Sequence, residues 1–328
     1  MKFRTTFQIP ASDFKINHQH KIITIGSCFS DEIGNRLVDL KFEGLINPFG
    51  IIFNSYSIQN LIERSLIKKY FTIDDVHQNG EQFFCFDVHS SFNALSSDDV
   101  LTKLNTTLDQ VHNCLKTCDV VILTLGTSWV YEWQENEDIV ANCHKIEAKQ
   151  FKKKLLTTEE NFKSMDLIAF EITKLNPQIK IITTVSPVRH IKDGMVENNV
   201  SKARLLDALY QLDLKYHQVD YFPSYELILD DLRDYRFYKE DLIHPTNQAV
   251  DYIWEKFTET YFESATLTTI QKINKIIKAL NHRPFNEEAE SHQKFLNKIQ
   301  GMIEELEKGQ KIDFKAEKEF IRSKIKSC

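Results

Sequence analysis

The feature that most restricts this chain is a set of short, largely apolar runs at residues 21–25, 119–125 and 180–185, with another short strand at 219–222, separated by stretches of helical periodicity. A strand without polar alternation must be covered on both faces, and the intervening helices supply the cover. The pattern predicts a mainly parallel sheet between helices. Helices are expected over residues 31–40, 57–67, 98–116, 158–175, 202–217 and 246–261, with a further strand over 83–88 and Ser30 capping the first helix. In such sheets ligands sit beyond the carboxyl ends of the strands, so residues 26–27, 126–128 and 186–190 belong on one rim.

Composition removes several function classes. Asp and Glu number 47 against 41 Lys and Arg, a net charge of −6, which argues against nucleic acid as a partner. The apolar runs are too short to span a bilayer, the first residues show no export signal, and the six cysteines form no C-x-x-C pair or dense framework. A cytoplasmic protein with reduced thiols and no membrane partner is expected. There are only 9 glycines in 328 residues, well below the usual ~7%. Gly26, Gly50 and Gly126 border apolar runs, where backbone freedom or close approach is needed.

Residues 1–264 form the body and 265–328 a helical extension. The extension carries 13 Lys and Arg against 9 Asp and Glu, net +4, leaving −10 for the body. Helices are expected over 270–280 and 287–308, broken at His282-Arg283-Pro284, with Phe295, Ile299, Met302, Ile303 and Leu306 on one apolar face. That face should dock on the body or form a homodimer interface.

Two patterns bear on chemistry. Ser27 follows the first strand at a helix start, where a hydroxyl meets backbone N–H groups suited to an oxyanion; simple capping is the alternative. In Asp241-Leu242-Ile243-His244-Pro245, one helical turn would bring carboxylate and imidazole together, and Pro245 should hold His244 in a loop before the last helix. An exposed pair is the alternative there. Cys28 reads as a small buried residue more readily than as a thiolate, and Cys114 with Cys118 as packing. His18-Gln19-His20 is a weak metal pattern. No G-x-G-x-x-G, Walker A or G-x-S-x-G sequence occurs. No metal and no cofactor are expected.

Gly26-Ser27-Cys28-Phe29-Ser30 together with Asp241-Leu-Ile-His244-Pro-Thr246 resembles the GSCFA-domain family of the SGNH (GDSL-like) hydrolase superfamily. The resemblance runs through Asn47-Pro-Phe-Gly-Ile51, Leu125-Gly-Thr-Ser-Trp-Val130, Asn142-Cys-His-Lys145, Val185-Ser-Pro-Val-Arg-His190, Tyr221-Phe-Pro-Ser-Tyr-Glu226 and Leu232-Arg-Asp-Tyr-Arg-Phe-Tyr238. It implies a flavodoxin-like three-layer α/β/α body and a serine esterase or acyl hydrolase. Ser27 would be the nucleophile, His244 the base and Asp241 its orienter, acting on an acylated carbohydrate or small acyl ester. The Gly50 N–H would join that of Ser27 in the oxyanion hole. The superfamily's Gly-x-Asn is replaced here by Gly126-Thr127-Ser128. A substitute donor is then expected from Thr127, Ser128, Asn142 or His144, with the Asn142 amide favoured. Acyl transfer with the same triad, or a non-catalytic ligand-binding module, are the alternatives.

Overall fold

The computed structural model describes residues 4–282, 289–308 and 311–324. Five strands form the central sheet: β1 (Lys21–Gly26), β2 (Glu43–Ile46), β3 (Val120–Leu125), β4 (Lys180–Val185) and β5 (Val219–Tyr221). All pairings are parallel, in the order β2-β1-β3-β4-β5, which is the flavodoxin-type order. Every residue of central β3 is buried, as its unbroken apolar run demands.

Six long helices of the body cover the sheet: α1 (Cys28–Asp39), α2 (Ser55–Leu66), α3 (Ser97–Thr117), α4 (Thr158–Leu175), α5 (Met195–Lys215) and α6 (Asn247–Tyr261). Strand alternation divides the core. Ile22, Val120 and Ile122 pack with α1 and α6 on one face, while Ile23, Val121, Leu123 and Ile181 pack with α2 to α5 on the other. The cap of the first helix lies three residues before the expected one: Ser27 holds that position, and Ser30 is buried with its Oγ donating to Thr124 Oγ1 at 2.8 Å. The expected strand at 83–88 is shorter, pairing Gln82–Phe84 with His77–Asn79 in a hairpin. A small antiparallel sheet of Trp129–Trp133, Ile139–Val140 and Phe151–Leu155 follows β3.

The extension forms α7 (Ser264–Asn281), α8 (Glu290–Glu307) and α9 (Lys315–Lys324). The expected break at Arg283 and Pro284, and also Cys328, lie outside the described residues. Helix α8 buries Leu296, Ile299, Ile303 and Leu306. Phe295, expected on that face, is instead 38% exposed, because it lies at one edge of the arc while Leu296 at the opposite edge is the one turned inward. These side chains join one apolar cluster with Ile16, Leu37, Phe42, Phe262 and Phe314, and Lys41 Nζ meets Glu317 Oε1 at 2.6 Å. At roughly 1.5–3 kcal/mol for each large apolar side chain buried, the extension is held against the body by its own core. Among the described residues, no helix is long and apolar enough to cross a membrane.

Candidate active site

Gly26 ends β1 at φ +153°, and a Cβ there would lie 2.3 Å from the Thr124 carbonyl oxygen of β3. No side chain fits, so glycine lets the chain turn hard against the sheet and deliver Ser27 to its carboxyl edge. Asn47 braces this turn: its Oδ1 accepts from Gly26 N–H at 2.8 Å, and its Nδ2 donates to Asp31 Oδ1 at 2.5 Å. Ser27 Oγ accepts from Phe29 N–H at 3.2 Å as the N-cap of α1, which places the hydroxyl beside the helix's unpaired N–H groups.

The Asp241–His244 pair forms without a helical turn. Leu242 adopts φ +57°, and the tight turn lets Asp241 Oδ1 accept from the N–H groups of Ile243 and His244 at 2.9 and 3.0 Å. Asp241 Oδ2 then lies 2.7 Å from His244 Nδ1. The His244 backbone N–H, then its ring, then the Ile243 N–H hold the Asp241 carboxyl down to about 2. The carboxylate therefore fixes the imidazole with Nε2 free.

Ser27 and His244 line one cavity of about 580 Å³, with Ile51, Phe53, Trp129 and Val188 in its apolar walls. That volume suits a small organic ligand. Among the described residues, no hydrogen bond joins Ser27 Oγ to His244; such bonds are often loose without substrate.

The expected oxyanion donors are distributed differently. Ser27 N–H donates to Thr124 O at 3.0 Å and Gly50 N–H to Asn47 O at 2.7 Å, so both are engaged. Gly50 instead serves the backbone, at φ +75° and pressed against His89. Ser128 is buried away from the cavity, its N–H and hydroxyl donating to Ser201 Oγ and O. His144 is also turned away: its Nε2 meets Val88 O at 3.1 Å and its ring stacks on Phe84. Burial, the largest influence, pushes the His144 imidazole down to about 4. Thr127 and Asn142 do line the cavity. The Thr127 hydroxyl is bonded to Ser201 Oγ, while Asn142 Oδ1 accepts from His144 N–H, leaving its amide N–H₂ available. The backbone N–H groups of Ile51 and Thr127, both on cavity residues, have no partner among the described residues, and that of Cys28, also on the cavity, meets its own thiol.

His89 and His190 also line the cavity. Burial, followed by the nearby Lys202 charge, pushes His190 down to about 4, so it is neutral at pH 7. Burial, with Asp31 and Glu32 adding to it, raises the Cys28 thiol, the opposite of an activated thiolate. His18 is stacked on Phe42 with Nε2 at 3.0 Å from Leu40 O, and no group of three or more His, Cys, Asp or Glu among the described residues is arranged for a metal.

Three residues escape sequence reasoning as individuals. Asn47 is the brace described above. Arg189 lines the cavity and reads in the sequence only as part of the Val-Arg-His segment. Lys202 sits in a helical run where a lysine is normally solvated. It is instead fully buried, with Nζ donating to the carbonyl of the cavity residue Ser186 at 2.6 Å.

Comparison with known proteins agrees with the sequence pattern. No curated protein matches the chain. A solved structure named for a platelet activating factor from Streptococcus pneumonia aligns over 76% of this chain and 85% of that one, at 12% identity and a TM-score of 0.39, a likeness too loose to carry a functional argument. Residues 273–327 match the model of the GSCFA domain protein, C-terminal domain. Since residues 21–257 match the GSCFA family model, the chain belongs to the GSCFA family.

Proposed function

We propose that this protein is a serine hydrolase of O-acyl esters, of the SGNH type. The observation that carries the reading is the meeting of Ser27 with the preorganised Asp241–His244 pair in one cavity at the carboxyl edge of the sheet. His244 Nε2 takes the hydroxyl proton as Ser27 Oγ bonds the ester carbonyl carbon. Collapse of the tetrahedral intermediate breaks the bond to the alcohol oxygen, and the alcohol leaves with that proton. Water activated by the same nitrogen then releases the acid from Ser27. Asp241 holds the ring and stabilises the imidazolium. The developing oxyanion is taken by donors among the Ile51 and Thr127 N–H groups and the Asn142 amide, in place of the engaged Ser27 and Gly50 N–H groups. An acylated carbohydrate or small acyl ester fits a cavity of this size. Acyl transfer would use the same residues with an alcohol in place of water.

Labelling by a fluorophosphonate, with the adduct mapped by mass spectrometry, tests the reading. Adduct formation at Ser27, lost in Ser27→Ala, supports a hydrolase. A folded protein that never labels supports the second reading, a ligand-binding module; what favours that one is Ser27 Oγ acting as helix cap without a bond to His244.

A further inference from the structure

The cavity combines apolar walls with a cation that the protein itself does not neutralise. Arg189 lines it, half-buried, with its guanidinium 4.3 Å from the Tyr238 ring centroid and 5.3 Å from that of Tyr235. Several other arginines of the body are paired, Arg4 with Asp231, Arg36 with Asp251, and Arg64 with Asp75 and Asp87, while Arg204 is held by the Leu155 and Leu156 carbonyls away from this cavity. Among the described residues, no carboxylate pairs with Arg189. Asp193 is the one carboxylate among the described residues that lines this cavity, and it is taken by Lys153. Lys192 also lines the cavity and has no carboxylate partner among the described residues. Positive charge is thus concentrated at this site in a chain of net charge −6. The Tyr235 and Tyr238 side chains hold the guanidinium in place through ring and hydroxyl contacts, and a planar fork of five N–H donors has more than these contacts use, the chemistry that suits a carboxylate or phosphate.

We propose that the cavity selects esters bearing an anionic group, a carboxylate or phosphate, with Arg189 as the specificity-determining residue. This rests on the hydrolase reading for its chemistry, while the anion subsite itself is measurable without turnover. In a cavity of about 580 Å³, a ligand of ordinary size reaches both the Ser27 hydroxyl and the Arg189 guanidinium. The anion can sit on the acid or on the alcohol side of the ester, and the two are separable by experiment.

The test measures binding to full-length Ser27→Ala and turnover by the unaltered protein, using two matched pairs. 4-Nitrophenyl hemisuccinate against 4-nitrophenyl butyrate places the charge on the acyl side. 4-Acetoxybenzoate against phenyl acetate places it on the alcohol side. The expected result is a preference of about 10- to 100-fold for the charged member of one pair, the range of a charge-assisted hydrogen bond. Adding Arg189→Gln collapses it, Arg189→Lys keeps part of it, and exposed Lys149→Gln leaves it unchanged. Equal affinities within each pair, or a preference that survives Arg189→Gln, would overturn the proposal. A preference in binding without turnover or fluorophosphonate labelling overturns the hydrolase reading and leaves the anion subsite standing. Turnover without preference does the reverse.

Discussion

Replacing Lys202 by methionine should stabilise the protein, and by an amount that depends on pH. The residue is 1% exposed, and among the described residues its amine donates to one carbonyl, that of Ser186. Burial pushes it from 10.5 down to about 7, with Cys28 acting weakly the other way. A shift of one unit is 1.36 kcal/mol, so keeping this amine charged opposes folding by about 5 kcal/mol below pH 7. Because the folded value lies below the unfolded one, the penalty is fully present below about 7 and fades as pH rises toward 10.5; between about pH 6.5 and pH 9.5 it falls by about 3 kcal/mol. Methionine has similar length and no charge, but it leaves the Ser186 carbonyl without this donor, a loss of about 1–3 kcal/mol. Lys202→Met should therefore be about 2–4 kcal/mol more stable at pH 6.5, with the advantage shrinking by about 3 kcal/mol at pH 9.5. Urea unfolding of both proteins across that range measures the difference, in which other titrations cancel. A difference that does not change with pH would refute the reasoning, since it would mean that the amine titrates normally.

Other outcomes follow from the same geometry. Gly50→Ala should lower stability by at least about 1 kcal/mol, because φ +75° disfavours a side chain and its Cβ would lie 2.4 Å from that of His89; an unchanged urea midpoint would mean the loop has another conformation. Phe314→Ala should cost about 3–5 kcal/mol, since the ring is fully buried in the cluster joining extension and body, and a loss under 1 kcal/mol in thermal unfolding would show the extension to be undocked. The Asp241 carboxyl should titrate near 2 by NMR. Its lowered value makes its contribution to the turn present above the ordinary range near 3.8 and lost as pH falls through 2; a midpoint near 3.8 would show that the turn is not formed in solution.

How much was legible from sequence depended on how local the determining forces are. β1, β3 and β4 stand out because burial on both faces makes each a largely apolar run, whereas β5, an edge strand of Val219-Asp220-Tyr221, is legible only from its place before the last helix. β2 is an edge strand whose residues are exposed or half-buried, so Glu43-Gly44-Leu45-Ile46 carries no such signal. The small antiparallel sheet escaped because Phe151-Lys-Lys-Lys-Leu155 reads as a solvated charge run. Ser27 and His244 reach one cavity because topology sends strand ends to one rim, which motif order already implies. The allocation of backbone N–H groups is different. That Ser27 N–H continues the ladder to Thr124 depends on the register between β1 and β3, and no side-chain pattern encodes it. Lys202 and Arg189 were hidden for a related reason: a charged residue is ordinarily at the surface, and only tertiary packing reveals the exceptions.

The docking of α7 to α9 also has a consequence in time. The cluster around α2 to α5 draws its core residues from positions 23–219, so it can close while the chain is still being made. The opposite cluster waits for Leu296, Ile303, Phe314 and Ile321. At a synthesis rate of about 5–20 residues per second, the apolar side of α1 and α6 stays open for several seconds after α6 itself has emerged. During that interval the nascent protein presents Leu37, Phe42 and Phe262 to whatever surrounds the ribosome. Premature termination within the extension therefore leaves an adhesive surface on an otherwise folded body, which makes truncated chains targets for chaperones and proteases.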